Sequence, residues 1–358
     1  MPENPHTHVH ISTVTILRAI LLILFFVFLY ILKDVIIIFL FALIIASSMT
    51  PFASWLDSKG FPRTFGVLAL YLLVFGLVVL VLTLVVPYIA EEVSQLSVAL
   101  PEVVERVSTS LENVQKESPQ YLDFISELQN ILDTFSIYLQ QSSQSVLTLV
   151  VNIFGGVMSF VAIIVISFYL SVMKRGIEGF IESVVPAEHE AYVMDLWRRS
   201  ELKVGRWLQG QILLALIVGL TVYIGLSLMG VKFALVMGVL AMALEIVPMV
   251  GPILAAIPAV ILAFIQDPGL GLWVVAFYVV VQQLENHILV PIVLGKTTGL
   301  NPIVVLMALL IGNQLAGILG MVLSVPIATV IVEILDDLAK HREEEKHNGI
   351  AASSPSSV

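Results

Sequence analysis

Residues 297–332 read TTGLNPIVVLMALLIGNQLAGILGMVLSVPIATVIV, a run of 36 residues without a charged side chain. A helix needs about 20 residues to cross the roughly 30 Å hydrocarbon core of a bilayer, so this run is too long for one straight span. The run also contains Gly312, Gly317 and Pro326, residue types that loosen or break a helix. We therefore expect a broken or re-entrant helix, which membranes tolerate only where protein or trapped water satisfies the freed backbone groups.

Four further stretches without a charged residue are long enough to span a membrane. They cover residues 66–86, 146–173, 207–231 and 246–266. Hydrophobic residues make up 58% of the 358 residues and charged residues only 12%, and the mean hydropathy is +1.01. A soluble domain carries about 25% charged residues. The sequence therefore predicts an all-α, polytopic transmembrane protein of about eight spans, with re-entrant or broken helices in its C-terminal half.

The N-terminal region contains two apolar runs close together, Ala19–Leu32 and Val35–Leu56. No small-residue cleavage site separates them, so we interpret them as membrane anchors rather than a removed signal peptide. Lys33 and Asp34 lie between them. These two residues form either a tight outer turn between two short spans, which we prefer, or part of one long bent helix. We expect a polar tail over residues 1–15 and transmembrane spans within residues 16–86.

Residues 87–145 form an acidic segment, with nine Asp and Glu residues against two Lys and Arg residues in a chain of net charge −10. Its apolar residues recur at steps of three and four, which predicts helices with an apolar seam. The seam fits either a helical hairpin within one chain or a subunit contact in a homo-oligomer. Nucleic-acid binding requires a basic surface, so we do not expect a nucleic-acid partner.

Lysine and arginine residues concentrate around Lys59 and Arg63, in residues 174–206 and in the tail after residue 338. Short cytoplasmic loops are enriched in these residues, so we expect all three regions, and the C-terminus, to be cytoplasmic. The segment 87–145 is then extracytoplasmic, and residues 146–173 form the returning span. The sequence predicts a multi-pass protein of the cell (plasma or inner) membrane.

Residues 174–206 mix both charge signs with apolar residues, which predicts an amphipathic helical loop at the cytoplasmic membrane surface. We expect its Arg198, Arg199 and Arg206 to meet lipid headgroups. Residues 339–358 are charged and then rich in Ser and Ala, and we expect this tail to be disordered.

The C-terminal block, residues 207–338, contains a weak internal similarity at an offset of 69 residues. It aligns Leu240 with Leu309 and Gly251 with Gly320. Internal repeats are common in secondary transporters, although two apolar stretches also match by chance. Each copy is interrupted near its middle, which indicates either re-entrant hairpins or a substrate pathway.

Polar residues within this block are the candidates for a transport pathway. Gln282, Glu285 and Asn286 share one helix face because their spacings are three and four. A charged residue near the bilayer centre costs roughly 2.5–3.5 kcal/mol and usually faces a cavity or a partner. Glu285 therefore either exchanges a proton or lines a pathway, or it ties its helix to a neighbour, for example through Lys296. Glu245 lies just before a Pro- and Gly-rich break, where it is either functional or a helix cap. The predicted pathway residues are Glu245, Pro248, Gly251, Pro252, Gln282, Glu285, Asn286, Asn313 and Gln314.

No motif for catalysis or nucleotide binding is present in the sequence. Gly295-Lys296-Thr297 resembles the end of a phosphate-binding loop, but the pattern requires glycine at the position of Val290. The chain has no cysteine, so thiolate metal sites are excluded. We expect neither enzymatic activity nor a cofactor or metal, and we expect transport to be driven by a gradient.

Three segments together resemble the autoinducer-2 exporter family, the permeases of the PerM and TqsA type. They are residues 245–252 (EIVPMVGP), residues 282–287 (QQLENH) leading to Pro291, and residues 310–320 leading to Pro326. The resemblance covers Ile11 to Leu338. It implies export of a small polar solute, such as an autoinducer-2-like signal.

The same resemblance leaves other functions open. Some members of the family are described as sodium–proton antiporters, and a non-transporting oligomeric membrane scaffold is a third alternative. Members commonly carry an acid at the place of Asn313 or Gln314. This chain therefore cannot hold a proton on a carboxyl group at that place.

Overall fold

The computed structural model describes residues 13–117, 156–173, 176–294 and 300–353. Every regular element in these ranges is helical, which confirms the all-α prediction. The helices are α1 (Thr13–Ile31), α2 (Lys33–Ser58), α3 (Arg63–Glu117), α4 (Val157–Val172), α5 (Gly176–Val184), α6 (Ala187–Leu228), α7 (Ala234–Leu244), α8 (Val250–Gln266), α9 (Pro268–Leu284), α10 (Val290–Val293) and α11 (Pro302–Ser353). A π-helical turn, Glu285–Leu289, joins α9 to α10.

The described helices confirm a polytopic membrane protein. Six of them are long and apolar enough to cross a bilayer, and a seventh span results if α4 and α5, which meet at 76°, are counted together. The sequence predicts about eight spans because it counts uncharged runs. One of those runs, residues 246–266, forms the 17-residue α8, which is shorter than a span and packs with the 11-residue α7 as one hairpin.

The junction of α1 and α2 is a single residue, Leu32, and it differs from the outer turn that we preferred at Lys33 and Asp34. The Leu32 N–H donates to the carbonyl of Phe28 at 3.0 Å, and the Ile36 N–H donates to the carbonyl of Leu32 at 2.9 Å. Helical hydrogen bonds thus continue through the junction, whereas a reversing turn would break them. This region therefore matches the other alternative, in which Lys33 and Asp34 are part of one long bent helix.

Helix α3 continues without a break from its membrane span into the acidic segment and ends at Glu117. Pro101 lies within it. On this extension the Glu92 Oε2 accepts a hydrogen bond of 3.1 Å from the backbone N–H of Val236, in the first turn of α7. A carboxylate there satisfies a free N–H and complements the positive end of the helix dipole. The remainder of the predicted seam, residues 118–145, lies outside the described residues.

Residues 174–206 are helical where described, forming α5 and the first five turns of α6. The C-terminal tail differs from the expected disorder, because α11 extends to Ser353. Residues 339–346 read AKHREEEK, and Ala, Lys, Arg and Glu are strong helix formers. High charge therefore did not prevent helix formation in this tail.

Helix α6 is the central helix of the fold, and its buried residues Leu214, Val218, Val222 and Leu226 recur every four positions. They pack with α7, α8 and α9 in one apolar cluster. Glycine allows close approach: a Cβ on Gly219 would overlap the backbone of α7. Small residues of this kind are the usual contact points of helices in membranes, where van der Waals packing drives association.

Helices α7 and α8 form an antiparallel pair, which we call hairpin 1 (residues 234–266). At its open end, the Gln266 Oε1 accepts from the backbone N–H of Lys232 at 2.9 Å, and the Gln266 Nε2 donates to the carbonyl of Gly230 at 3.4 Å. At its apex, a Cβ on Gly251 would overlap the carbonyl of Leu244. The first broken helix of the sequence is therefore a helical hairpin.

The second broken helix is also a hairpin, formed within α11, and we call it hairpin 2 (residues 302–339). Ala316 and Gly317 leave helical geometry, with φ of −146° and 58°. A Cβ on Gly312 would overlap the carbonyl of Gly320, and the reverse also holds. Eight residues of straight helix would separate these two by about 12 Å, so the chain reverses between them. The prediction that this run is a broken helix is confirmed.

Candidate functional site

Glu245 lies at the apex of hairpin 1 and is buried, with 1% of its surface exposed. Helix α7 ends at Leu244, and α8 begins only after Pro248 and Met249, whose φ of 66° is in the left-handed region. The break leaves backbone carbonyls without helical partners, and that of Glu245 accepts from the Gln211 Nε2 at 2.5 Å. The Oε2 of Glu245 has no hydrogen-bond partner among the described residues. The apex thus holds a carboxyl oxygen that the described protein does not satisfy.

Glu285 is the first residue of the π-helical turn and is also buried, with 4% exposed. The ring of Pro291 cannot donate to the carbonyl of His287 and would clash with it in an α-helix, which accounts for the widened turn. Single π turns occur often at functional sites. Gln282 precedes Glu285 by three residues and lies on the same helix face. The Oε2 of Glu285 remains without a partner in the described part of the chain.

The two carboxyl groups come from different elements and are electrostatic neighbours, since the charge of Glu285 acts on Glu245. No ion pair with Lys, Arg or His involves either group among the described residues. Buried charges are normally paired, and unsatisfied buried polar atoms require an explanation. The alternative tie of Glu285 to Lys296 lies outside the described residues. We call Glu245 and Glu285 the carboxyl pair.

Two further polar groups beside the carboxyl pair were missed by the sequence analysis. Gln211 on α6 is 1% exposed, and its Oε1 has no partner among the described residues. The hydroxyl of Tyr278 on α9 is similarly unpartnered. Gln211 stands within an uncharged run, and Tyr278 precedes Gln282 and Glu285 by four and seven residues. That helical spacing places Tyr278 on the same helix face as Gln282 and Glu285, and it could have identified Tyr278 from the sequence.

Three of the predicted pathway residues give hairpin 1 its shape. Pro248 lies in the apex, and Gly251 and Pro252 are buried in the first turn of α8. Proline can occupy the first turn of a helix because its missing N–H would be unsatisfied there. These residues hold the break that places Glu245 inside the protein. They contribute no side-chain hydrogen-bonding group of their own.

The remaining predicted residues, Asn286, Asn313 and Gln314, are exposed, whereas the carboxyl pair is buried. Asn286 is exposed and interacts with Gln282, whose Nε2 donates to the Asn286 Oδ1 at 3.4 Å. Asn313 and Gln314 are exposed near the apex of hairpin 2. The structure therefore does not enclose Gln282, Glu285 and these three amides in one cavity. A role for Asn286, Asn313 and Gln314 in a transport pathway stays a prediction.

Two of the three arginines expected to meet lipid headgroups instead form ion pairs within the protein. Arg198 pairs with Glu178 of α5 at 2.9 Å. Arg199 pairs with Glu333 at 2.7 Å and Asp337 at 2.5 Å, both on α11. Arg206 is exposed, and its contact with lipid stays a prediction. The partners of Arg199 could not be read from the sequence, because they lie more than 100 residues away.

The comparisons with known proteins agree with a transporter. The model of the AI-2E family transporter matches residues 19–340. The AI-2 transport protein TqsA of Escherichia coli (strain K12) is 27% identical over 307 residues, which cover 84% of this chain and 85% of TqsA. YueF of Bacillus subtilis (strain 168) is 28% identical over 281 residues, or 76% of each chain. YhhT of Escherichia coli (strain K12) is 26% identical over 333 residues, or 92% of this chain and 91% of YhhT.

The family match covers nearly the whole chain and confirms the resemblance inferred from the broken helices. It also agrees with the multi-pass helical architecture. The chain therefore belongs to the AI-2E transporter family, and it is a membrane transporter.

Proposed function

We propose that this transporter exports a small, neutral polar solute and binds it at the carboxyl pair. One observation carries the proposal: Glu245 at the apex of hairpin 1 and Glu285 in the π-helical turn are both buried, and each has a carboxyl oxygen without a partner among the described residues. Burying such groups without partners is unfavourable. A solute that donates hydrogen bonds would satisfy them during its passage.

The unsatisfied atoms indicate the chemistry of the solute. They are the Oε2 of Glu245, the Oε2 of Glu285, the Oε1 of Gln211 and the hydroxyl of Tyr278. The Oε1 of Gln211 accepts hydrogen bonds, and the hydroxyl of Tyr278 and a protonated carboxyl group can each accept or donate. A compact molecule with several hydroxyl groups complements this set. A signal of the autoinducer-2 type has this chemistry, and the relative TqsA is named for AI-2 transport.

The test is efflux from liposomes that contain the purified protein. They are loaded with labelled autoinducer-2 or with neutral polyols of similar size. We expect the wild type to release at least one of them, and the double variant Glu245→Gln, Glu285→Gln to release it about tenfold more slowly, since two hydrogen-bond acceptors are weakened. The matched control is Glu188→Gln, an exposed carboxyl group in the first turn of α6, which we expect to behave as wild type.

Two outcomes would contradict this proposal. One is that no solute leaves faster than from liposomes without protein. The other is that the double variant carries the solute at the wild-type rate. The first would argue against facilitated solute export, and the second against the carboxyl pair as its binding place.

Cation–proton antiport is a second candidate, and one observation favours it: the carboxyl pair has no cationic partner among the described residues. Two neighbouring carboxyl groups can exchange a bound proton for a metal cation. The test is an acid-loaded liposome with a pH-sensitive dye, to which sodium or potassium is added outside. Antiport predicts cation-dependent alkalinisation that Glu285→Gln abolishes, while facilitated export of a neutral solute could survive this change. Absence of alkalinisation in the wild type would exclude this candidate.

We propose that residues 174–206 and the C-terminus are cytoplasmic and that residues 87–145 are extracytoplasmic. The distribution of lysine and arginine supports this orientation, and the continuous path of α3 from a span into the acidic segment agrees with it. Single cysteines at Glu188 and Glu91, probed with an impermeant thiol reagent on intact cells, test it. We expect labelling at position 91 alone, and labelling at position 188 would contradict the orientation.

We also propose a homo-oligomer. Helix α1 exposes its apolar residues around nearly its whole circumference, and the span of α3 exposes a large apolar face. Lipid can cover such faces, so the supporting argument is the apolar seam that continues along the acidic segment. Mass photometry of the detergent-solubilised protein tests the oligomeric state, and a monomer would contradict it.

A further inference from the structure

Four charged side chains tie the C-terminal arm of hairpin 2 to α6. Arg199 donates to the Glu333 Oε1 at 2.7 Å and to the two carboxyl oxygens of Asp337 at 3.1 and 2.5 Å. Lys203 pairs with the Glu333 Oε2. The spacing of four residues on both helices aligns the two cations with the two acids. We call Arg199, Lys203, Glu333 and Asp337 the α6–α11 latch.

The side chains of the latch are partly exposed to solvent. Its acids are each 7% exposed, while the side chains of Arg199 and Lys203 are 34% and 37% exposed. Asp195 also pairs with Arg199, at 2.9 Å, so three carboxyl groups share two cations. Partial solvent access weakens ion pairs compared with fully buried ones. Such a network can therefore separate and reform.

A cleft of about 160 Å³ lies beside the latch. Residues of α2, α5, α6 and α11 line it, among them Leu43, Ile181, Trp197, Ser200 and Val330. Ser200 is buried at 5% exposure, and its hydroxyl has no partner among the described residues. Protein interiors are normally close-packed. The interface of α6 with α11 therefore combines the latch with apolar packing, in which Val322, Leu323 and Val325 of the arm cluster with Val204 and Trp207. The gap beside the latch leaves room for the latch end of the arm to move.

The same arm contains two places where a helix bends easily. Gly317 has φ of 58° at the apex of hairpin 2. Pro326 lies between the apex and the latch and cannot donate to the carbonyl of Val322. Helix α6, in contrast, is tightly fixed to α2: a Cβ on Gly205 would overlap the carbonyl of Ser47. Of the two helices joined by the latch, α11 has the residues that allow bending, so we expect the arm of hairpin 2 to move rather than α6.

We propose that this arm is a gate at the end of the transport pathway where the latch lies, and that the latch holds it shut. Opening separates Glu333 and Asp337 from Arg199 and Lys203 and widens the cleft around Ser200. The role of the gate in solute passage rests on the proposed function. The closure itself does not, because it can be measured without a solute.

The chain has no cysteine, so Ser200→Cys introduces a single thiol with little change in size. We expect this thiol to react slowly with a water-soluble maleimide while the latch is closed. Adding Glu333→Gln and Asp337→Asn removes the acids of the latch, and we expect the labelling rate to rise about tenfold or more, since the open state gains population. Conservative replacement of the acids, with Glu333→Asp and Asp337→Glu, keeps their charges and should leave the rate close to that of Ser200→Cys alone.

The matched control is Ala255→Cys in the apolar core of hairpin 1, a residue that is 0% exposed and does not line the cleft. Its labelling should stay slow in every background. An unchanged Ser200→Cys rate after neutralisation would overturn the gate. Equal acceleration of Ala255→Cys would also overturn it, because it would show general loosening. Failure of the proposed function is separate: it appears as absence of solute flux in liposomes, whatever the labelling shows.

Discussion

Hairpins 1 and 2 share an architecture but present different chemistry. Each reverses at a helix break, and each has a glycine where a Cβ would overlap the carbonyl of the opposite arm, Gly251 and Gly320. Hairpin 1 buries Glu245 at its apex. Hairpin 2 exposes Asn313 and Gln314 beside its own. The comparison indicates that backbone shape is repeated while the carboxyl group is specific to hairpin 1.

The two hairpins also differ in what holds them. Hairpin 1 packs along α6 through glycine contacts, and Glu92 caps its first helix. Hairpin 2 packs against α2 and α6 through Val322, Leu323 and Val325, and its C-terminal arm is also joined to α6 by the latch beside a cleft. Apolar and glycine packing suits an element that fixes a binding place, and an arm whose end is held by ion pairs suits a gate. Four changes test this difference.

The largest effect is expected from the two equivalent glycines. Gly251→Leu and Gly320→Leu should each destabilise the protein by about 3 kcal/mol or more, because the new side chain meets backbone that cannot yield. The melting temperature of the detergent-solubilised protein measures this loss. Gly76→Leu is the control, since a Cβ there meets nothing within 4 Å. Equal behaviour of all three variants would show that the hairpin contacts are not tight.

A second change compares the apices themselves. Glu245→Gln should raise the free energy of unfolding by about 1–3 kcal/mol, because it removes a buried carboxyl group that lacks a partner. Gln314→Glu should have little effect, because its side chain is exposed. Thermal unfolding of both variants gives the answer. A stability loss for Glu245→Gln would mean that this carboxyl group has a stabilising partner.

The third change concerns the support of hairpin 1 by α6. Gln211→Leu removes the hydrogen bond to the Glu245 carbonyl and should destabilise the protein by about 1–2 kcal/mol. Gln283→Leu, at an exposed position of α9, is the control and should be close to neutral. Chemical denaturation in mixed micelles compares them. If the control is equally damaging, the loss at Gln211 comes from changed solubility.

The smallest effect is expected at the outer end of hairpin 1. Glu92→Gln weakens the cap on α7 and should lower the free energy of unfolding by about 0.5–1 kcal/mol. Hydrogen exchange should quicken at the amide of Val236, which donates to Glu92. Glu91→Gln, the exposed neighbour, should leave exchange unchanged. An unchanged exchange rate at the Val236 amide in Glu92→Gln would contradict the hydrogen bond between α3 and hairpin 1.

Periodicity and length were sufficient to predict much of this fold. An uncharged run of 36 residues broken by glycine cannot be one span, and hairpin 2 follows from that argument alone. The spacing of Gln282 and Glu285 likewise placed them on one face. Tyr278 lies on the same face by the same rule, and the sequence analysis omitted it because tyrosine is common in apolar helices.

Contacts between distant helices could not be read from the sequence. Arg199 looked like a residue for lipid headgroups, because nothing local indicates that Glu333 and Asp337 face it. The neighbourhood of Glu245 and Glu285 depends on how hairpin 1 packs against the π turn. The exposure of Asn313 depends on the same tertiary packing, and local polarity gives no information about it.

The central claim is that Glu245 and Glu285 form a buried place where a solute binds. The most direct measurement is modification by dicyclohexylcarbodiimide, which enters membranes and reacts with protonated buried carboxyl groups, with sites located by mass spectrometry. We predict modification at Glu245 or Glu285, and slower modification when the transported solute is present. Absence of modification at both residues, or modification that the solute does not slow, would contradict the account.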